Sequence, residues 1–300
     1  MAKILTPAPL QQGDRIAILS PAGIVKPDNV YKALPVLRDK GWDPYVCPAT
    51  FHRHGTYAGT DDERYADLEA AFSDPSTRAI LCSRGGYGVV HLMERLDRLP
   101  LRDDPKWVIG FSDISALHAL MSSKGIESIH AHMTSHLAAT KGHDDDSLAL
   151  FDILEGRSVG YEIDPHHLNR QGKATGRLLG GNLAVISDLI GTPFNLLKPD
   201  TILFMEDVSE PIYKIERIMY QLRLSGVMAR LKGMIVGRFT DYSKDVDNSS
   251  MEEMIARIVE PFGFPVAYHA PIGHVSHNIP LVESRTTTLT VTPSLVTIDQ

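Results

Sequence analysis

The sequence predicts an α/β protein with a parallel β-sheet in its N-terminal part and mixed helices and strands in its C-terminal part. Short apolar runs alternate with helical segments up to about residue 140, which is typical of β-α units. Beyond that point the alternation changes to short strands and two helical stretches. A length of 300 residues exceeds what one core usually holds. We therefore expect domains at residues 1–160 and 161–300, with the boundary near residues 155–175.

Composition and charge exclude several classes of protein. The chain is 43% hydrophobic and 22% charged, as in globular proteins, and its net charge of -7 comes without a basic block, which argues against nucleic acid as the main partner. The start of the chain lacks the pattern of a signal peptide, and no run of about 18 apolar residues predicts a membrane span. Only Cys47 and Cys82 are present, so a reducing cytoplasmic location is expected.

The N-terminal half contains four predicted strands and the helices between them. The strands are Ile16–Leu19 and the segments "WDPYVCP", "RAILC" and "KWVIG". Helical spacing follows in "VYKALPVLRDKG", "DERYADLEAAFSDP", "VVHLMERLD" and "ISALHALMSSKG", the first of them interrupted by Pro35.

The C-terminal half has a different rhythm. The segment "RSVGYEIDPHHLNRQGKATGRLLGGN" lacks a long periodic run, and it is predicted to be a linker that leads into short strands. Helices are expected in "LAVISDLIG" and "IERIMYQLRLSG". The predicted strands are "TILFMED", "LKGMIVGRF", "FPVAYHAPIG" and "TTTLTVTPSLVTI".

The turn "GFSD", residues 110–113, joins a predicted strand to a predicted helix. Ser112 or Asp113 can simply cap that helix, since both residue types are favoured caps. A serine on a tight elbow can instead present its hydroxyl as a nucleophile, with the following N–H groups facing an oxyanion. The Gly-x-Ser-x-Gly pattern of α/β-hydrolases is absent because residue 114 is Ile.

A second turn, "SRGGYG" at residues 83–88, is rich in glycine. Glycine lets the backbone approach a ligand closely, although a tight strand-to-helix turn needs it equally. The spacing is neither Gly-x-Gly-x-x-Gly nor a Walker loop, so no nicotinamide or nucleotide cofactor is expected.

Two further residues complete a minimal set for acyl transfer. Glu206 ends an apolar strand in "ILFMEDVSEP", and His274 follows a turn of small residues in "APIGH". Each alone is more often structural. Together with Ser112 they supply the nucleophile, base and orienting carboxylate that such chemistry needs.

Five motifs in one order, "SRGGYG", "GFSD", "LLGGNL" followed by "GTP", "LFMEDVSEPIYKIERIMYQL" and "PIGHVSHNIPL", resemble the LD-carboxypeptidase family. This muramoyltetrapeptide carboxypeptidase group includes the microcin-C immunity peptidases. The resemblance implies a serine peptidase with Ser112 as nucleophile, Glu206 as carboxylate and His274 as base. It also implies an oxyanion hole made by the N–H groups of Asp113 and Gly86.

The resemblance further implies a flavodoxin-like layered N-terminal domain, a smaller β-rich C-terminal α+β domain, and a site in the cleft between them. The expected substrate is a murein tetrapeptide ending in D-Ala, or alternatively a microcin-like aminoacyl nucleotide, and the expected assembly is a homodimer. Relatives often have His-Gly-Pro-Met near residue 130, where this chain has "HAHM" with Ala131 and His132, and Pro-Leu-Gly where it has "NIPLVES". These departures leave the substrate preference open.

Two functions of other classes stay open from the residues. A metal hydrolase would use "HAHMTSH", with His130, His132 and His136, or "HRH", with His52 and His54. No Cys pair or acidic partner completes that set, and "HDDD" at residues 143–146 is expected to be a solvated loop, so no metal is predicted. A non-catalytic module that binds a small amino compound would leave Ser112 unlabelled by a fluorophosphonate probe.

Overall fold

The computed structural model describes residues 3–244 and 249–300, and it separates into two compact units. One unit contains the chain up to Ser158 together with Ile279–Val282. The other contains Val159–Asn278 and Glu283–Gln300. Both units combine helices with a β-sheet, which confirms the predicted α/β class.

The first unit is built on a six-stranded sheet. Its strands, numbered along the whole chain, are β1 (Arg15–Leu19), β2 (Asp43–Val46), β3 (Thr77–Cys82), β4 (Trp107–Gly110), β5 (Ser128–His130) and β11 (Leu281–Glu283). They lie in the order β11-β5-β4-β3-β1-β2, and the pairs from β5 to β2 are all parallel. The turns that follow β1, β3 and β4 therefore lie at the same edge of the sheet, where binding sites of such folds form.

Helices follow the parallel strands, and the sequence predicted all of them except the last two. They are α1 (Pro27–Tyr31), α2 (Leu34–Asp39), α3 (Asp61–Ser73), α4 (Met93–Leu96), α5 (Ser115–Ser123), α6 (Thr134–Thr140) and α7 (Asp145–Leu154), with 3₁₀ turns at Val89–Leu92 and Ser112–Ile114. The helical segment containing Pro35 is split in two, and Pro35 occupies the start of α2, where a missing N–H does no harm.

The second unit contains a seven-stranded mixed sheet. Its strands are β6 (Gly160–Ile163), β7 (Gly172–Asn182), β8 (Thr201–Val208), β9 (Gly233–Thr240), β10 (Val266–Ala267), β12 (Thr286–Val291) and β13 (Val296–Asp299). The order is β10-β9-β8-β7-β12-β13-β6, with parallel pairs from β10 to β7 and antiparallel pairs beyond. The helices are α8 (Leu183–Asp188), α9 (Ile212–Leu224) and α10 (Met251–Val259), with a 3₁₀ turn at Met228–Arg230.

The linker predicted before residue 182 is wrong, because β7 is an eleven-residue strand. Its first four residues are largely exposed, whereas its last five are buried. A strand that enters the core only half-way along its length shows no regular alternation, so the hydrophobic pattern could not reveal it.

One buried arginine links two of the turns that lie at the same edge of the first unit's sheet. Arg64 of α3 is 1% exposed, and its guanidinium donates hydrogen bonds to the carbonyls of Pro21, at 2.6 Å, and Gly88, at 3.0 Å. It also lies over the ring of Tyr57, 5.1 Å from the ring centroid. Helix α3 therefore holds both the turn after β1 and the glycine-rich turn after β3.

Among the described residues, no helix has the length and apolar character needed to cross a membrane.

We expect Arg64→Met to lower the free energy of unfolding by about 2–4 kcal/mol, because two carbonyls lose a charged donor that nothing replaces. Arg95→Met is the matched control, since the Arg95 side chain is 41% exposed and pairs with the exposed Asp62. That change should cost less than about 1 kcal/mol. Thermal and urea unfolding measure both variants, and equal losses would contradict the role given to Arg64.

Candidate active site

Ser112 sits on a strained elbow between β4 and α5. Its φ of +66° lies in the left-handed region, which a residue with a side chain adopts at a cost of about 1–3 kcal/mol. The strand before it is fully buried, whereas Ser112 itself is partly accessible. Strain of this kind persists where the surroundings impose it, which is common at functional positions.

The capping interpretation of this turn is wrong. Neither Ser112 nor Asp113 makes a side-chain cap for the helical turns that follow. The Asp113 carboxylate instead accepts a hydrogen bond from the N–H of Val89, 3.0 Å away, just after the glycine-rich turn. Burial raises the pKa of Asp113. Asp113 therefore ties the elbow to the neighbouring turn.

A buried histidine fixes the helix behind the elbow. His118 of α5 is 0% exposed, and its Nε2 lies 2.9 Å from the carbonyl oxygen of Gly110. Its Nδ1 lies 2.9 Å from the hydroxyl of Ser128 in β5. Burial lowers the pKa of His118 to about 4, so the ring is neutral at neutral pH, with Nε2–H as donor.

The glycine-rich turn approaches the elbow closely. A Cβ built on Gly85 would lie 2.8 Å from Cβ and 2.9 Å from Oγ of Ser112, so only glycine fits there. The N–H groups of Gly86 and Asp113 donate no hydrogen bond to any residue that the structure describes. The two amides assigned to an oxyanion hole thus belong to segments that meet at Ser112, and that assignment stays a prediction.

The second unit joins the other two predicted catalytic residues directly. Glu206 lies in β8 and is 0% exposed, and its Oε2 is 2.8 Å from Nδ1 of His274. His274 lies in the loop that follows β10. Burial alone would lower the pKa of His274. The hydrogen bond and charge of Glu206, together with the charges of Asp207 and Asp241, outweigh burial and raise that pKa above its ordinary value.

The backbone beside this pair leaves room for the carboxylate. Gly273 has a φ of +117°, and a Cβ there would lie 2.7 Å from Cβ of Glu206. Its N–H donates to Oδ1 of the fully buried Asn278 at 2.8 Å. The loop that carries His274 is therefore folded against Glu206 by a side chain that the sequence analysis did not single out.

Asn182 and Asp207 form a hydrogen-bonded pair beside Glu206, and the sequence analysis gave neither residue a role. Nδ2 of Asn182 donates to Oδ1 of Asp207 at 2.9 Å, and the N–H of Ala184 donates to Oδ2 of Asp207 at 2.8 Å. Burial raises the pKa of Asp207 to about 6, and the neighbouring charge of Glu206 adds to that effect. An asparagine immediately before a helix is a cap signal, and it could have drawn attention to Asn182.

Two family models together match most of the chain. The model for the LD-carboxypeptidase N-terminal domain matches residues 16–131, and the model for the LD-carboxypeptidase C-terminal domain matches residues 175–289. The chain belongs to the LD-carboxypeptidase family. The resemblance seen in the sequence is thereby confirmed, and this LD-carboxypeptidase family member is a peptidase.

Individual relatives agree with the family. The murein tetrapeptide carboxypeptidase of Pseudomonas aeruginosa is 33% identical over 276 residues, which cover 88% of this chain and 89% of that protein. The crystal structure of muramoyltetrapeptide carboxypeptidase from Oxalobacter formigenes superposes with a TM-score of 0.86 at 24% identity, covering 95% and 98% of the two chains. The microcin C7 self-immunity protein MccF, solved with adenosine monophosphate, gives a TM-score of 0.87 at 20% identity, covering 99% and 98%. The two structures show the fold.

We expect Glu206→Gln to lower the pKa of His274, because the charge that raises it is removed while burial remains. In the native chain the pair stabilises the fold below about pH 6.5, and this contribution is lost as the pH rises through the raised pKa. NMR titration of the His274 ring measures the shift. His118 is the internal control, and its pKa of about 4 should not change. An unchanged pKa of His274 in Glu206→Gln would contradict the assignment of Glu206 as the partner of His274.

Proposed function

We propose that this chain is a serine carboxypeptidase of LD type, which hydrolyses the bond to a terminal D-Ala of a murein tetrapeptide through an acyl-enzyme. The observation that carries the proposal is the 2.8 Å contact between Nδ1 of His274 and the buried Glu206. That contact fixes the imidazole tautomer and directs its other nitrogen to accept a proton. Family membership supports the choice of substrate class.

In the proposed reaction, Ser112 and the Glu206–His274 pair act together during turnover. Nε2 of His274 takes the hydroxyl proton of Ser112 as Oγ attacks the scissile carbonyl carbon. The imidazolium then gives this proton to the leaving amine of D-Ala, and the acyl-enzyme remains. A water molecule, deprotonated by His274, attacks the acyl carbon and releases the shortened peptide and Ser112.

Backbone donors at the elbow are proposed to stabilise the oxyanion. The N–H groups of Asp113 and Gly86 belong to the two segments that converge on Ser112. One well-placed donor contributes about 3 kcal/mol to transition-state stabilisation in comparable enzymes. The strained φ of Ser112 is then the conformational cost of presenting Oγ beside these amides.

A cationic pocket in the first unit suits the free carboxylate of the substrate. The pocket has a volume of about 270 Å³ and is lined by Val25, Lys26, Asn29, Ser83, Arg84, Met133 and Ser135. Among the residues that the structure describes, two cations and no carboxylate line it. Arg84 immediately precedes Gly85, and its guanidinium donates to the carbonyl of Ile24 at 2.6 Å, which fixes its position. We propose that Lys26 and Arg84 bind the terminal carboxylate of D-Ala.

The alternative substrate is an aminoacyl-nucleotide amide. This alternative draws on MccF structures described with adenosine monophosphate and with glutamyl sulfamoyl guanosine. Those proteins are 20% and 19% identical to this chain, so the likeness shows a shared fold alone. A homodimer and a cytoplasmic location stay predictions.

We expect Ser112→Ala to reduce release of D-Ala from a murein tetrapeptide by at least about 10³-fold, because the nucleophile is lost. Ser123→Ala is the control, since its hydroxyl only bonds to the Leu120 carbonyl in the same helix. Chromatographic assay of D-Ala gives the rates, with an aminoacyl sulfamoyl adenosine tested in parallel. Unchanged turnover by Ser112→Ala refutes the nucleophile, and cleavage of the nucleotide compound alone favours the alternative.

Lys26→Ala and Arg84→Ala should each raise KM for the tetrapeptide about tenfold with little change in kcat, because a charged contact to the carboxylate is lost. The same variants should match the native chain on a tetrapeptide whose terminal carboxylate is amidated. Lys32→Ala is the control, since Lys32 is exposed and pairs with Asp28. Equal effects on both peptides would exclude carboxylate binding by this pocket.

A further inference from the structure

Three side chains in the first unit form a cluster that the proposed peptidase chemistry does not use. His132 lies between β5 and α6, His136 lies in the first turn of α6, and Asp146 lies in the first turn of α7. Each offers one ligand atom, and the three atoms all lie within 4.8 Å of one another. We call these three residues the His₂Asp cluster.

The cluster is enclosed. His132 is 9% exposed and Asp146 is 5% exposed, and the His136 side chain is 13% exposed. The rings of the two histidines are stacked, with centroids 3.6 Å apart and planes inclined by 6°. Nε2 of His132 lies 3.5 Å from Oδ2 of Asp146. Two imidazoles and a carboxylate thus lie close together with little exposure to solvent.

The expectation of a solvated loop at residues 143–146 holds for the exposed His143 but is wrong from Asp145 onward, where α7 begins. The buried Asp146 supplies the acidic partner that the sequence analysis did not find. Asp144 caps α7 by accepting the N–H of Ser147 at 3.1 Å, which turns the helix so that Asp146 points inward. The sequence pattern showed three acids in a row and no helical period to separate their directions. Because α7 begins here with Asp144 as its cap, the three acidic side chains point in different directions.

We propose that His132, His136 and Asp146 bind one divalent cation of the zinc class. Ligand atoms around a tetrahedral zinc ion lie about 3.3 Å apart, given bond lengths of about 2.0–2.1 Å. The ligand atoms lie within 4.8 Å of one another, and the two imidazole rings must turn out of their parallel stack to direct their in-plane lone pairs at one ion. Two imidazoles and one carboxylate are ligands that zinc accepts, with a fourth position left for water.

An outer carboxylate also matches this assignment. Oδ1 of Asp144 lies 2.8 Å from Nε2 of His136. Histidines that ligate metals usually donate their other N–H to such a carboxylate, which fixes the tautomer and increases the basicity of the ligating nitrogen. Magnesium and calcium prefer all-oxygen sites, so the two imidazoles select against them.

The bound ion would connect α6, α7 and the segment after β5. The ring of His132 meets the ring of Phe111 edge-to-face at 6.1 Å, and Phe111 immediately precedes Ser112. The site is therefore one aromatic ring away from the elbow. We assign it a structural role beside the elbow, separate from the proposed acyl transfer.

Zinc binding to the full-length, chelator-treated chain tests the proposal. Calorimetric titration with ZnCl₂ should give one site per chain, MgCl₂ should give none, and Co²⁺ should produce the visible absorption of a tetrahedral complex. His132→Gln and Asp146→Asn should each weaken zinc binding at least tenfold. Zinc should raise the melting temperature of the native chain and have a smaller effect on either variant.

Two controls separate this site from others. His274→Ala removes the histidine of the Glu206 pair, and it should retain the zinc site. His166→Gln alters a second stacked pair, His166 and His269, for which the described residues offer no third ligand, and it should bind zinc normally. Absence of zinc binding by the native chain overturns the proposal. So does zinc binding that survives both cluster variants with their folds intact by circular dichroism, or that is lost in His274→Ala.

Discussion

The hydrogen bond from His274 to a completely buried carboxylate is the constraint on which the second unit depends. Glu206 has no exposure, and its Oε1 has no hydrogen-bond partner among the described residues, so His274 is its principal stabilising contact. A buried charge of this kind is expensive unless it is paired. The imidazole reaches Glu206 through a tightly folded loop. Gly273 lacks the Cβ that would clash with Glu206, and Asn278 accepts a hydrogen bond from the N–H of Gly273.

The first unit meets a different constraint, which is conformational. Ser112 occupies a left-handed backbone position that the chain alone would avoid. Three contacts impose it: Asp113 is bonded to Val89, His118 anchors α5 to the end of β4, and Gly85 packs against the serine side chain. Arg64 then holds the glycine-rich turn from behind through the Gly88 carbonyl. Rigidity at the elbow thus comes from polar contacts between separate turns.

The sequence predicted the parts of this arrangement that depend on local pattern. Apolar runs revealed β1 to β4 but not the three-residue strand β5, and the motifs around Ser112, Glu206 and His274 revealed the family. The long strand β7 was not predicted because only half of it is buried. The burial of Arg64 was not predicted because, in sequence, a buried arginine resembles any surface charge on an amphipathic helix. Asp146 escaped for a related reason, since its direction depends on a helix cap two residues earlier. Long-range packing decides the first two and a local cap decides the third, and neither leaves a periodic trace.

The charge balance at Glu206 explains why a histidine suits this position. Without a proton on His274, the pair carries one buried negative charge, and Asp207 with its raised pKa of about 6 adds a second one nearby. When His274 takes up a proton, the pair becomes neutral overall. In the proposed reaction that proton comes from Ser112, so the step that creates the oxyanion also removes an uncompensated charge from the interior of the second unit. The same carboxylates that make the unprotonated pair costly therefore favour the imidazolium that acyl transfer requires.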